Sequence, residues 1–367
     1  MQRFVFALLA VCVGVTGAAS RNTTDQIQPN DNLRAAGTVR GGVLRLHIDT
    51  RLGVWRPDGA DAPGATVPAF AEAGRKPQIP GPLIRVSSGT DVVLTVTNSI
   101  VGSVLTLHGL VSRPLSAGAP DSMQVSAGES RDVRFRLDAP GTYFYWGTTT
   151  GRSWGARTGE DAQLSGAIVV DEPGVARRDR ILVIGQWADT TPSEANPDAF
   201  MRRLLLVING RSWPHTERFS YAVGDSVRWR VINASANLHP MHLHGFYFRV
   251  DSRGDGTGDT TYAEDRRDRV VTERMGNRQT ILMTWVPERA GNWLFHCHFT
   301  AHFSARGPLG MRLEDPAHAR HVGNHALEGM SGLVVGPHAR GRAAPAAGRG
   351  VRPTHCARAR TTLRPGD

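Results

Sequence analysis

The sequence contains little cysteine, with three residues in a chain of 367. Cys12 lies in an N-terminal segment that export would remove, and Cys356 lies in a C-terminal tail of unusual composition. Cys297 is then the one cysteine of the folded body, so a disulfide framework is excluded. Since a lone thiol in an oxidising compartment is vulnerable unless something occupies it, a bound metal is favoured.

Helical periodicity is also scarce. The chain has 41 glycines, 22 prolines and many short β-branched runs, which is typical of an all-β protein built from sandwiches. With 40% apolar and 21% charged residues, the chain is globular and long enough for two domains of roughly 150 residues each.

No long hydrophobic run follows the N-terminus, so we expect no membrane span in the mature chain. Residues 1–15 have a charged start and a short apolar core, and the small residues Gly17–Ser20 suit a signal peptidase. We predict a signal peptide at residues 1–19 and export to the periplasm or the outside of the cell. A lipoprotein anchor at Cys12 is a minor alternative because no suitable small residue precedes it.

The formal charge of +10 is concentrated at the C-terminus. After Gly336 the chain carries many arginines against a single acid, Asp367, and is rich in Ala, Pro and Gly. We interpret residues 337–367 as a solvated, disordered tail and expect no nucleic-acid site. A reading-frame artefact of a GC-rich gene would produce the same composition.

The most informative stretch is Gly291–His302, in which Cys297 lies between His296 and His298. Successive side chains of a strand point to opposite faces, so the two flanking histidines share one face and Cys297 lies on the other. One strand can therefore supply two metal sites.

A second histidine-rich stretch lies upstream, where His239 has the opposite strand parity to His242 and His244. Parity therefore allows a site made of His239, Cys297 and His302. Two imidazoles and a thiolate, often with a weak axial methionine, describe a blue copper electron-transfer centre. The histidines left for the opposite face are His242, His244, His296 and His298.

Three other interpretations compete for this cysteine. Zinc also accepts cysteine and histidine ligands. A cysteine hydrolase would use Cys297 as the nucleophile and a nearby histidine as the base, but His296 and His298 point away from the thiol in a strand. In the third interpretation, His239, Cys297 and His302 are ordinary core residues. This would leave the joint occurrence of two His-x-His pairs unexplained.

The chain also contains an internal repeat, which two copies of one Greek-key β-sandwich explain. We predict a linker at residues 20–37, a first domain at 38–172 and a second domain at 173–336. The matching segments are Gly89–Asn98 with Gly224–Asn233, Thr106–Gly109 with His242–Gly245, Gly141–Thr148 with Gly291–His298, and Leu164–Val170 with Met330–Val335.

The motifs HPxHxH and HCHxxxH resemble those of the last domain of multicopper oxidases, the laccase-like family, and the resemblance covers most of the chain. It implies two cupredoxin-like, plastocyanin-like domains and a type 1 copper held by His239, Cys297 and His302. It also implies an oxidoreductase that takes single electrons from a phenol-like, amine or metal-ion donor. These electrons would pass through Cys297 and its neighbours, His296 and His298, to a trinuclear copper cluster that reduces dioxygen.

The resemblance further implies an axial methionine or leucine in a Gly-Met-x-Gly context. Met330 fits the repeat better than Met311 and is preferred, which places an inserted loop between His302 and Met330. Either methionine could instead fill the core. We interpret three further histidines as residues of a polar loop that could in principle refill a metal site: His318, His321 and His325.

The first domain departs from the family pattern. A complete trinuclear cluster uses four His-x-His pairs, two from each of the first and last domains. Here the first-domain positions hold Thr106 and His108 in one motif and Trp146 and Thr148 in the other. His108 is the one remaining ligand, because a hydroxyl or an indole cannot replace imidazole for copper.

Two functional classes therefore stay open. The resemblance favours an enzyme with impaired dioxygen reduction, and the alternative is an exported electron carrier or copper-binding protein in which the mononuclear copper alone works. We expect a small-molecule or metal-ion electron donor, or a redox protein, as partner. Two-domain family members commonly form trimers, so the resemblance implies a homotrimer, in which each subunit would still bring the same depleted first domain.

Overall fold

The structure of the chain is a computed structural model that describes residues 25–175, 177–189, 203–299, 302 and 334–340. These residues form 26 strands and three short 3-10 helices, Trp154–Ala156, Glu160–Gln163 and Glu264–Arg266. The all-β prediction is confirmed. The positions that lie outside the described residues include the predicted signal peptide, Cys12, Met311, His318, His321, His325, Met330 and Cys356.

The first half of the chain forms one eight-stranded and one five-stranded sheet. Its strands are β1 (Asp25–Gln26), β2 (Gln28–Pro29), β3 (Thr38–Arg40), β4 (Val43–Trp55), β5 (Ala65–Glu72), β6 (Gln78–Ile79), β7 (Gly81–Ser87), β8 (Thr90–Asn98), β9 (Val104–His108), β10 (Ser122–Ser126), β11 (Ser130–Leu137), β12 (Gly141–Thr148) and β13 (Ser165–Asp171). The larger sheet has the order β11-β8-β4-β5-β6-β2, with β1 and β3 beside β4, and the smaller has the order β10-β9-β12-β13-β7.

The second half repeats this two-sheet plan. Its strands are β14 (Arg180–Asp189), β15 (Arg203–Ile208), β16 (Arg218–Ala222), β17 (Val227–Asn233), β18 (His239–Leu243), β19 (Phe248–Gly254), β20 (Asp259–Thr261), β21 (Arg269–Val270), β22 (Thr272–Met275), β23 (Thr280–Trp285), β24 (Gly291–Asn292), β25 (Phe295–Cys297) and β26 (Val334–Arg340). One sheet has the order β15-β14-β17-β23-β19-β20 with β21 beside β19, and the other has the order β16-β26-β25-β18-β22 with β24 beside β26.

The strands form because their apolar residues alternate and share a buried face. In β8, Val92, Leu94 and Val96 are buried, while the residues between them are more exposed. They belong to the core of the first sandwich. The core of the second sandwich is built in the same way and includes Cys297 of β25.

The two sandwiches pack on each other through apolar side chains. One shared cluster joins Phe144, Trp146 and Trp154 of the first half to Ile181 and Ile232 of the second, among others. A second cluster packs β15 against the sheet that contains β4 and β5. This packing holds the first-domain cleft described below against a loop of the second domain.

The structure corrects two boundaries. Residues 25–29, predicted as part of a linker at 20–37, form β1 and β2, which pair with β4 and β6. Ile27 between them is buried. Two-residue strands are too short to show an alternating pattern, so they could not be predicted from the sequence.

The second correction concerns the tail predicted at residues 337–367. Its first four residues, 337–340, lie in β26 and pair in parallel with β16. This segment is a strand because its backbone pairs with β16. Its side chains show no alternating pattern from which the strand could be predicted. Among the described residues, no helix is sufficiently long and apolar to span a bilayer.

Candidate metal centre

Two neighbouring strands, β18 and β25, position the histidine motifs. They pair in antiparallel fashion, with Met241 opposite Cys297 and His242 opposite His296. His239 is buried with the inward-facing side chains of β18, while His242 is on the more exposed face. The burial of β18 therefore alternates as predicted, whereas Phe295, His296 and Cys297 of β25 are all buried.

The inward face brings three potential ligands together. The ligand atoms of His239, Cys297 and His302 all lie within 4.8 Å of one another, and all three residues are buried. Cys297 Sγ is 3.3 Å from His302 Nδ1, and the rings of His239 and His302 have centroids 4.9 Å apart. Among the residues that the structure describes, this is the one cluster of three such ligands.

A hydrogen bond orients the ring of His239. Its Nε2 is 2.7 Å from Ser235 Oγ, and Ser235 donates its own proton to Asn233 Oδ1 over 2.8 Å. The Ser235 hydroxyl therefore accepts a hydrogen bond from Nε2–H of His239. This leaves Nδ1 of His239 without a proton, so its lone pair can bind a metal. Within the described chain this buried Nδ1 has no hydrogen-bond partner, so it fits a metal ligand.

Burial sets the protonation of this site. Burial, with the neighbouring His302, lowers the pKa of His239 to about 3, and burial raises the pKa of the Cys297 thiol to about 11. A metal ion that binds here must displace the thiol proton, as thiolate coordination requires. Cys297 is 0% exposed, which leaves a hydrolase substrate no access to its sulfur.

The four remaining second-domain histidines gather on the opposite face. His244 Nε2 and His296 Nε2 are 2.7 Å apart, and the rings of His242 and His298 have centroids 4.9 Å apart. Burial lowers the pKa of His242 and His244 and lowers that of His296 to about 4. Neutral imidazoles of this kind are suitable metal ligands.

A short connection links the two faces. His296 Nδ1 lies 2.7 Å from the backbone carbonyl oxygen of Cys297. The thiol-bearing residue and an imidazole of the second group are thus joined both by the peptide backbone and by a hydrogen bond. This is the pair through which the resemblance implies electron transfer.

The first-domain positions are arranged differently. Strands β9 and β12 place His108 opposite Trp146, and Thr106 opposite Thr148. The rings of His108 and Trp146 are stacked, with centroids 3.9 Å apart and planes inclined by 10°. His108 also lies 3.9 Å from the carboxylate of Asp121.

Thr148 belongs to a hydrogen-bond network instead of a metal site. Its hydroxyl donates to Asp161 Oδ2 over 2.6 Å, and the backbone N–H of Thr149 donates to Asp161 Oδ1 over 2.9 Å. Arg157 donates to the carbonyl oxygens of Asp161 and Leu164 over 2.7 and 2.9 Å. These donors and rings do not fit the first-domain half of a trinuclear copper cluster. The assignment of His108 as a metal ligand stays a prediction.

Sequence reasoning missed Ser235 and Arg157. The signal for Ser235 is weak, because it is a single hydroxyl four residues before His239. Arg157 lies between the 3-10 helices Trp154–Ala156 and Glu160–Gln163 and follows no periodic pattern. The predicted axial ligands, Met330 and Met311, lie outside the described residues.

Comparison with known proteins agrees with these observations. Two models of the multicopper oxidase family match the chain, over residues 73–174 and 186–313. A probable nitrite reductase-hydroxylamine oxidoreductase fusion protein of Kuenenia stuttgartiensis is 26% identical over 287 residues, which cover 72% of this chain and 31% of that protein. Ceruloplasmin of Homo sapiens is 34% identical over 103 residues, which cover 28% of this chain and 8% of that protein.

Solved structures share the fold. The blue copper oxidase from Nitrosomonas europaea superposes with a TM-score of 0.57 at 18% identity, covering 81% of this chain and 85% of that one. A copper nitrite reductase from Nitrosomonas europaea superposes with a TM-score of 0.56 at 19% identity, covering 84% and 98%. The chain matches less than a third of the length of the fusion protein and of ceruloplasmin. The two family-model matches, together with the cysteine and histidine motifs, establish that the chain belongs to the multicopper oxidase family, whose proteins bind copper.

Proposed function

We propose that the protein is a copper oxidoreductase that takes single electrons from a small reductant at a type 1 copper site. The observation that carries the proposal is the buried cluster of His239, Cys297 and His302, whose ligand atoms lie within 4.8 Å of one another. Two imidazoles and one thiolate suit a blue copper centre. Membership of a copper family favours copper over zinc for the same donors.

The surrounding residues prepare this site. Bound copper would supply reversible one-electron oxidation and reduction. Ser235 holds the ring of His239 so that Nδ1 faces the site, and burial of all three ligands excludes water. The side chains are therefore held in place before metal arrives, which lowers the reorganisation that electron transfer requires.

A second function is favoured by the first-domain positions. Neither Trp146 nor Thr148 carries an imidazole. Trp146 is instead stacked on His108, and Thr148 donates a hydrogen bond to Asp161. This arrangement supports an electron carrier in which the mononuclear copper alone works. Its reduced form would then pass the electron to another redox protein, and dioxygen reduction would be weak.

Copper loading of the purified full chain tests the site. The wild type should develop the intense blue band of a copper–thiolate bond, and Cys297→Ser should remain colourless because serine cannot supply the thiolate. Cys356→Ser is the matched control, since it also removes a thiol and should keep the band. A blue Cys297→Ser protein, or a colourless wild type, would refute the assignment.

Copper content and turnover separate the two functions. A complete set of sites would hold about four copper ions per chain and oxidise a laccase dye, whereas the carrier would hold about one. We expect a content well below four and weak dye oxidation. Four copper ions per chain, with a turnover comparable to that of an intact laccase, would refute the electron-carrier function and support a complete oxidase.

We further propose that the protein is exported, with a signal peptide at residues 1–19, and that it assembles as a homotrimer. The apolar N-terminal segment supports export. The electron donor is proposed to be a small molecule, a metal ion or a redox protein. Mass determination of the mature protein from its host tests the removal of the signal peptide, and sedimentation of the purified chain tests the homotrimer.

A further inference from the structure

A cleft of about 540 Å³ opens at the first-domain positions where the family pattern has copper ligands. Thr106, His108, Trp146 and Thr148 all line it. Its volume lies in the range of small-molecule sites, which is about 300–1,000 Å³. Arg278 reaches it from a loop of the second domain.

Stacked aromatic rings and cations form one wall of this cleft. His108 is stacked on Trp146, and the guanidinium of Arg157 lies over both Trp146 and Trp154, at 4.8 and 4.9 Å from the ring centroids. Arg278 lies over Trp154 at 5.8 Å. Arg157 is buried, so this wall carries a fixed positive charge behind its apolar rings.

Two donors of this wall lack partners. Trp154 is buried and its Nε1–H has no hydrogen-bond partner among the described residues, and the same holds for Nε–H of Arg278. Buried polar groups are nearly always hydrogen-bonded, so an unpaired buried donor needs an acceptor. The two unpaired N–H groups therefore point to a ligand that supplies oxygen acceptors.

The charges of the cleft favour an anion. Three arginines line it, Arg113, Arg152 and Arg278, against one acid, Asp121. Arg113 is occupied, because it donates to the carbonyl oxygens of Gly109 and Gly256 over 3.2 and 2.9 Å. Within the described chain, Arg152 and Arg278 form no salt bridge, so their guanidinium groups are available to a carboxylate.

We propose that this cleft binds a small organic carboxylate with an apolar ring, held by Arg278, Arg152 and the Nε1–H of Trp154. Phe144, Trp146 and Leu115 provide apolar surface for the body of the ligand. A guanidinium can bind the two carboxylate oxygens at once. This site is formed mainly by the first domain, with Arg278 contributed by a loop of the second. None of the proposed copper ligands of the second domain lines it, so its occupation does not depend on copper.

Isothermal titration calorimetry of the full chain with 4-hydroxybenzoate tests the proposal, in metal-free and copper-loaded protein. We expect one ligand per chain in both forms. The neutral amide, 4-hydroxybenzamide, should bind at least about tenfold more weakly, because it cannot form the charge-assisted hydrogen bonds. Equal binding of acid and amide, or no binding of the acid, would overturn the proposal.

Variants assign the binding to this cleft. Arg278→Gln should weaken 4-hydroxybenzoate binding about tenfold, and Trp154→Phe, which keeps a ring but removes the N–H, should weaken it several-fold. Arg40→Gln is the matched control, because Arg40 is an exposed arginine outside the cleft. Unchanged affinity in both cleft variants, each with a wild-type melting temperature, would contradict the proposal. Sulfate that competes as well as the acid would also contradict it, since the site would then select charge alone.

Discussion

The orientation of one histidine ring depends on one serine. Ser235 accepts from Nε2–H of His239 and donates to Asn233, which leaves Nδ1 unprotonated and directed at the site. Removal of a group that orients a metal ligand typically costs about 10–100-fold in metal affinity. At the scale of the residue, therefore, the candidate site depends on a side chain that is not itself one of the proposed ligands.

The Ser235→Ala variant should fold, but its copper affinity should fall about tenfold because the ring of His239 loses its fixed tautomer and orientation. Competition with a chelator of known affinity measures the change. Ser220→Ala, at an exposed position of β16, should bind copper like the wild type. Equal affinity in the two variants would show that Ser235 does not orient the ligand.

Asp161 supports a prediction on pH. Burial raises the pKa of its carboxyl, but hydrogen bonds from Thr148, Thr150 and Thr149 outweigh this and hold the pKa below the ordinary value of 3.8. The folded state therefore binds this proton more weakly than the unfolded state does. The stabilisation is complete above the ordinary value and is lost as the pH falls through the lowered pKa.

Asp161→Asn should accordingly lower the free energy of unfolding by about 2 kcal/mol at neutral pH, because the charged acceptor is lost. The stability of the variant should also fall less steeply than that of the wild type below about pH 4. Urea unfolding across pH measures both effects. Asp132→Asn, at an exposed aspartate, should change neither, and a parallel pH dependence in Asp161→Asn would contradict the assignment.

At the scale of elements, buried charges join the end of β13 to β17. Arg85 donates to Asp171 over 2.8 Å and to Asp179 over 2.7 Å, while Arg230 donates to Asp179 and, over 2.7 Å, to Thr142. Both arginines and both acids are largely buried. The group spans the boundary between the sandwiches, where removal of one partner leaves an unpaired buried charge.

Asp179→Asn is therefore expected to destabilise the protein by about 3 kcal/mol, since two buried guanidinium groups lose their shared carboxylate. Urea unfolding monitored by tryptophan fluorescence provides the measurement. Asp91→Asn breaks the exposed pair with Arg136 and should cost less than about 1 kcal/mol. If the two variants lost the same stability, the buried group would not hold the sandwiches together.

At the scale of the whole molecule, two sandwiches of one design carry different chemistry. The second has histidine at all four positions that the family pattern assigns to the cluster, and it has the candidate mononuclear ligands. The first holds Thr106, Trp146 and Thr148 where the family pattern has histidine. Assembly into a trimer would bring another copy of the same first domain. Oligomerisation therefore does not supply the missing imidazoles.

The corresponding prediction is that Thr106→His alone does not restore dioxygen reduction. Trp146 would still contact His108 and Arg157, and Thr148 would still donate a hydrogen bond to Asp161. Since neither residue is a histidine, two imidazoles would remain absent. Oxygen uptake by the copper-loaded variant with a laccase dye measures the outcome. The blue band should persist and serves as the internal control for copper loading; rapid oxygen uptake would refute the prediction.

The local pattern of the sequence determined much of the site. The alternation of side chains along a strand is a local property, so residue order alone assigned His239 and Cys297 to one face and His242 and His296 to the other. The repeat likewise predicted the two sandwiches. The linker was misjudged because β1 and β2 exist through pairing with distant strands.

The sequence by itself determined the family, the two-sandwich plan and the candidate copper ligands, because each depends on spacing within short segments. Tertiary structure alone decided which nitrogen of His239 faces the site and how the depleted first-domain positions are filled. Arg157 reaches Trp146 and Trp154, and Arg278 enters from the other domain. These contacts join residues that are far apart in the chain or lie in irregular segments, and no periodic pattern records them.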